Sequence, residues 1–219
     1  MDRGQAEGRA VVMLSGGIDS TVALWWARAK GLEVVPVSIQ YAGRPRRELA
    51  AVEEVARAFG LPEVRRMDLP FVGLANQLPA YRGATKPIPY GYIPMRNLLF
   101  YTLAAYHADA HGARFVVGGH LLDDALGFPD AHISYFEDLN RLFARSTDGW
   151  NPTGPPEIVL PFSGMKKEEV LLVGEGLGAP FGVTWSCWLD GDAPCGTCVS
   201  CKDRAEGFAK AGLQDPAAR

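Results

Sequence analysis

No apolar run in this 219-residue chain approaches the length that crosses a bilayer, so no membrane association is expected. The first ten residues, MDRGQAEGRA, contain no apolar core of the kind a secretory leader needs, and a cytoplasmic protein is expected. Neither sign of charge dominates: 22 Lys and Arg against 25 Asp and Glu leave a formal net charge of −3. That balance supplies no basic field for wrapping a long nucleic acid, so no direct nucleic-acid partner is expected. Cysteine is scarce and confined, with four residues and none before position 187. Internal repeats and low-complexity tracts are missing as well. What remains, 47% hydrophobic and 21% charged residues, is enough for one large domain or one domain with a small appendage.

Two familiar phosphate motifs are also missing. The stretch VVMLSGGIDSTVALWWARAKG, residues 11–31, runs from an apolar strand through Ser15-Gly16-Gly17 into a helical pattern. No lysine follows Gly17 until Lys30, so the turn is not the common Gly-Lys-Ser/Thr loop. Nor does it read G-x-G-x-x-G. Even so, glycines and hydroxyls at a strand-to-helix junction suit phosphate. The first N–H groups of a helix are unpaired, the dipole favours negative charge, and glycine admits a ligand to the main chain. A plain tight turn capped by Ser15 or Asp19 is the competing reading.

The four cysteines, Cys187, Cys195, Cys198 and Cys201, follow the spacing C-x7-C-x2-C-x2-C. Cysteines two residues apart let a turn aim several thiolates at one point, as tetrahedral Zn²⁺ requires. Four thiolates with no open position describe a structural zinc site. An iron–sulfur cluster or a redox dithiol are the alternatives.

Elsewhere, apolar runs alternate with longer helical patterns. Strands are expected at 10–14, 34–39, 114–118 and 158–161, and helices at 20–30, 46–59 (ending at Gly60), 95–111 and 166–175. Pro36 predicts an edge or a bend in the second strand. Residues 70–94 and 146–157, rich in proline and glycine, read as loops, and the tail from Trp185 as a clip. The alternation predicts an α/β fold with a mostly parallel sheet covered by helices on both faces. Ligands then belong at the carboxyl ends of the strands, where the glycine turn lies.

Several blocks together resemble one family. SGGIDST resembles the pyrophosphate loop of ATP-dependent adenylating enzymes. IPMRNLLF, GHLLDDALGFPD, LPFSGMKKEEV and CWLDGDAPCGTCVSC are similar, in that order, to the blocks of the 7-cyano-7-deazaguanine synthase family. The resemblance spans nearly the whole chain. It implies an adenylating body over residues 1–184, a zinc-bound tail over 185–219, and a homodimer. It further implies a C–N ligase of queuosine biosynthesis that uses ATP and Mg²⁺. The substrate would be 7-carboxy-7-deazaguanine, activated as an acyl adenylate, attacked by ammonia and dehydrated to the nitrile.

By position, Leu14, Ser15, Gly16, Gly17, Asp19, Ser20 and Thr21 would bind ATP, with Asp19 on Mg²⁺. Asp19, Arg96 and Lys167 would be catalytic, the two cations meeting phosphate charge. Arg96, Asn97, Gly119, Asp124, Phe128 and Asp130 would line the deazaguanine subsite, the carboxylates accepting from its N–H groups. Of the histidines, His120 is a candidate to meet ligand, while His107 and His111, one helical turn apart without a third ligand, read as ordinary helix residues.

The chain departs from the family at three places. Gln is common where Ile18 stands, Tyr-Gly-Gln-Arg-His where Tyr41-Ala42-Gly43-Arg44-Pro45 stands, and Pro-Asp-Cys-Arg where Pro129-Asp130-Ala131-His132 stands. These changes fall toward the substrate end. They leave open a relative that stops at the amide, or one that conjugates the deazaguanine to a protein amine in anti-phage defence. A tRNA thiolase would need a cysteine near the nucleotide, and all four lie in the tail. A non-catalytic nucleotide-binding module would not need Asp19, Arg96 and Lys167 together.

Overall fold

The computed structural model describes residues 8–89, 91–146 and 150–217. Its centre is a five-stranded sheet, every pair parallel: β1 (Arg9–Met13), β2 (Glu33–Tyr41), β3 (Arg65–Leu69), β4 (Phe115–Val117) and β5 (Glu157–Val159). The spatial order is β3-β2-β1-β4-β5, so the strand order reverses beside β1. Among the described residues seven α-helices connect and flank it: α1 (Ile18–Ala29), α2 (Arg46–Phe59), α3 (Arg96–Ala110), α4 (Leu122–Gly127), α5 (Ile133–Ser146), α6 (Lys167–Gly176) and α7 (Val199–Ala211). Among the described residues, no helix is long and apolar enough to cross a membrane.

The strands bury both faces because their side chains alternate. Ala10 and Val12 of β1 join Val117 of β4 in one core, against α1, α2, α6 and α7. Val11 and Val116 point the other way, into a second core with Tyr101, Ala104 and Ala108 of α3 and Phe136 and Leu139 of α5. Covering both faces leaves the strand ends as the place where a polar ligand can reach the sheet.

The eight elements expected from the sequence are present within a residue or two at each end. Gly60 closes α2 in the left-handed region at φ 85°. Four further elements lie outside the expected set: β3, α4, α5 and α7. The strand expected third, at 114–118, is therefore the fourth, and Asp124 and Asp130 follow it. Pro36 is corrected too: β2 is an interior strand, paired with β1 over its first half and with β3 from Val37 onward. The Val37 carbonyl accepts from Leu14 N on the β1 side. By alternation the Pro36 nitrogen faces the β3 side, one residue before β3 begins, and no ladder bond is lost.

Candidate active site

A cleft of about 450 Å³ opens at the carboxyl ends of β1, β2 and β4, within the size range of small-molecule sites. Leu14, Ser15, Gly17, Asp19 and Ser20 form its floor, Arg96, Asn97, Gly119, His120 and Asp124 one wall, and Lys167, Trp185 and Asp203 another.

The floor is built by hydroxyls folding back on the turn. Ser20 Oγ and Thr21 Oγ1 donate to the Gly17 carbonyl at 3.1 and 2.8 Å, and Ser15 N donates to Ser20 Oγ at 3.1 Å. Gly17 is the N-cap of α1 and has no side chain to cap with; its N–H donates to Ser15 Oγ at 3.3 Å, so Ser15 folds over the helix start as the tight-turn reading expects. Thr21 is fully buried and does not line the cleft. Gly16 takes φ 89°, and a Cβ there would lie 2.7 Å from the Glu48 carbonyl, so its glycine answers to α2 packing. Gly119 meets a similar constraint: its Cβ would lie 2.7 Å from the Asp19 carbonyl group. Only glycine lets the end of β4 approach the start of α1 this closely.

Behind the floor stands Arg44, its side chain 2% exposed. It donates to Ser38 Oγ at 2.9 Å, the Ile39 carbonyl at 2.6 Å, Glu48 Oε1 at 2.9 Å and the Ser15 carbonyl at 2.7 Å. One guanidinium thus ties β2, α2 and the glycine turn together. Burial pushes the Glu48 carboxyl above its usual range despite Arg44 beside it. The i, i+4 spacing of Arg44 and Glu48 was the one sequence signal for this pair.

Asp19 and Lys167, 148 residues apart, meet over the turn, with Lys167 Nζ 2.9 and 2.7 Å from the two carboxylate oxygens. Burial alone would pull the lysine pKa down, but Asp19, Asp203 and Asp124 reverse the balance and leave it raised. Asp124 accepts from Leu121 N at 2.9 Å, capping α4, and lies 3.8 Å from His120 Nδ1. Burial and then the Arg96 charge lower His120 to about 4, so it is neutral at pH 7. Asn97 is buried and donates to the Asp130 carbonyl at 2.9 Å. Phe128 and Asp130 do not line the main cleft. They border a small adjoining pocket with Tyr92, Ile93 and Arg96, where the Tyr92 and Phe128 rings lie nearly parallel, 6.3 Å apart. Of the residues that depart from the family, Ile18, Gly43 and Pro45 line the cleft, whereas Ala131 is buried and His132 is exposed.

The four cysteines converge with all Sγ atoms within 4.8 Å of one another, Cys195 and Cys201 at 3.9 Å. A tetrahedral zinc with bonds of about 2.3 Å needs sulfurs about 3.8 Å apart, so the donor set and its spacing fit that metal. Leu189 N and Cys195 N donate to Cys187 Sγ at 3.4 Å, and Cys198 N donates to Cys195 Sγ at 3.4 Å, which favours thiolate charge. Trp185 packs between this cluster and Ala51, and its backbone N–H donates to the Gly16 carbonyl at 2.9 Å. Trp185, Arg44 and Asp203 are the site residues that sequence reasoning missed.

Residues 9–212 match the family model described as queuosine biosynthesis protein QueC. The chain belongs to that family. A 7-cyano-7-deazaguanine synthase of Nostoc sp. is 36% identical over 219 residues, covering 95% of this chain and 96% of the relative. One of Methanothrix thermoacetophila is 34% identical, covering 95% and 97%. These relatives place the QueC-family chain among synthases of queuosine biosynthesis. Two solved structures share the fold alone. A U34-tRNA thiolase from Methanococcus maripaludis aligns at TM-score 0.51 and 18% identity over 94% of this chain and 66% of its own. A predicted tRNA methyltransferase subunit from Methanocaldococcus jannaschii aligns at 0.53 and 16%, over 77% and 74%.

Proposed function

We propose that the chain is an ATP-dependent C–N ligase that converts 7-carboxy-7-deazaguanine to 7-cyano-7-deazaguanine. The observation that carries this reading is the Asp19–Lys167 pair closing over a glycine turn at the floor of the cleft. A carboxylate is a poor electrophile. Its oxygen attacks the α-phosphorus of ATP, pyrophosphate leaves, and ammonia displaces AMP from the acyl carbon to give the amide. A second ATP takes the amide oxygen away on AMP, and loss of the amide protons leaves the nitrile.

The chain's own groups supply position and charge. The Gly17 turn and Ser20 hold the triphosphate near the N-terminus of α1. Arg96 and Lys167 face the phosphate charge from opposite walls. Asp19 is the carboxylate that would hold Mg²⁺, which when bound neutralises phosphate oxygens. Asn97 and Asp124 face the deazaguanine from the α3 and α4 side, and Asp130 with Phe128 bounds the adjoining pocket. The cysteine cluster would hold one structural zinc, and the tail from Trp185 onward forms a clip on the adenylating body.

Incubation with ATP, 7-carboxy-7-deazaguanine and ammonium, followed by mass spectrometry, tests this directly. AMP together with the amide and nitrile masses is the expected result. ATP consumption with neither product, while a protein amine gains the deazaguanine mass, would reassign the nucleophile.

A further inference from the structure

Lys167 has two carboxylates within reach, on two different elements. One is Asp19 at the start of α1, at 2.9 and 2.7 Å. The other is Asp203 on α7, whose Oδ2 lies 3.5 Å from the same Nζ. The lysine side chain is 12% exposed and that of Asp203 52%, so the ammonium is enclosed while Asp203 stands at the cleft rim, half in water. The approach of the two helices is itself built in. Gly207, one turn beyond Asp203, has space for no side chain: a Cβ there would lie 2.4 Å from Lys167 Cγ. The lysine stem therefore runs across the backbone of α7, and Asp203 meets its far end.

Asp19 cannot serve Lys167 and a divalent cation at full strength, because both compete for the same two oxygens. We propose that Asp203 is a positioning residue, holding the Lys167 ammonium in the cleft when Asp19 turns to the metal-bound phosphates. The functional half of this rests on the ATP reading given above; the pairing itself does not. A lysine released by its carboxylate would sample several rotamers in an open cleft. With Asp203 in place, a shift of about 1 Å restores a full ion pair without withdrawing the charge from the site. Asp203 has the same sign as a triphosphate, so it does not itself attract nucleotide. Its removal should leave nucleotide binding unchanged or tighter while turnover slows. A merely structural role would not separate the two.

The pairing is tested without turnover. Asp19→Asn stands in for the withdrawn carboxylate, and acetylation of Lys167 by acetic anhydride is followed by peptide mass spectrometry. Asp19→Asn should acetylate at nearly the wild-type rate, and Asp19→Asn/Asp203→Asn about fivefold faster, the scale of one partly exposed ion pair. Equal rates in the single and double variants would overturn the pairing. In the AMP-release assay, Asp203→Asn should lower kcat about fivefold with KM for ATP unchanged or lower, at unchanged zinc content and melting temperature, and Asp203→Glu should recover most of it. An unchanged kcat in Asp203→Asn would overturn the functional half. A wild-type chain that releases no AMP would overturn the adenylation reading alone, and acetylation would still decide whether Asp203 holds the lysine.

Discussion

Met95 precedes Arg96 with φ 55° and ψ 27°, the one non-glycine residue in the left-handed region among those described. Its side chain is largely exposed, so no packing offsets the strain. An L-residue there costs about 1–2 kcal/mol, of which glycine's extra unfolded-state freedom returns about 0.5–1. Met95→Gly should therefore raise stability by about 0.5–1 kcal/mol in urea denaturation, and a loss would show that Met95 has a contact holding it. His120 gives a pH signature. Its folded pKa of about 4 lies below the unfolded value of 6.5, so the unfolded chain takes up the proton first as pH falls. Stability is full above pH 6.5 and should drop by about 2 kcal/mol by pH 5 from this group. The comparison is between wild type and His120→Gln, since carboxylates titrate in both. Parallel stability curves would refute the assignment. Arg44 shows why residue identity alone did not reveal its role: an arginine in a sequence reads as solvated, and only the fold encloses it with four acceptors.

At the scale of elements, the close approaches decide the site. Gly207 on α7 lies under Lys167 and within packing distance of Leu171, both on α6. Gly207→Ala should push the two helices apart, cost about 1–3 kcal/mol, and displace Lys167 from Asp19. Thermal denaturation measures the first effect; if the melting temperature is unmoved, the helices have room to spare. Amphipathic period did not separate the helices legible in the sequence from the rest: α2, running to Gly60, is legible, whereas α5 is equally amphipathic and was not expected. β3, RRMDL, was missed because an edge strand with exposed arginines carries no apolar run. α5 and α7 were missed for different reasons. The first follows a loop rich in turn residues, and the second begins inside the cysteine cluster, whose metal spacing masked a helix from Val199 to Ala211.

For the whole molecule, the tail is the element whose loss is felt most widely. Cys187 and Cys201 are buried beside Trp185, whose backbone N–H donates to the glycine turn, while Phe208 of α7 packs in the core with Phe181. Arg204 donates to the Phe181 carbonyl at 3.0 Å and to Thr184 Oγ1 at 2.8 Å, and pairs with Asp215. Metal analysis should return one zinc per chain. Cys198→Ser should lose the metal and lower the melting temperature, since structural zinc contributes about 10 kcal/mol or more of apparent binding energy in small sites. Iron with sulfide in place of zinc would reject the assignment. The fold class, the glycine turn at the end of the first strand and the four cysteines are legible in the chain before it folds, because each is a local pattern read over a few residues. Tertiary structure alone decided that Asp19 meets Lys167 across 148 positions, that Arg44 braces the turn from behind, and that Asp203 arrives on α7. Those are contacts between elements, and their partners are chosen by strand order and helix crossing, to which no short stretch of sequence refers.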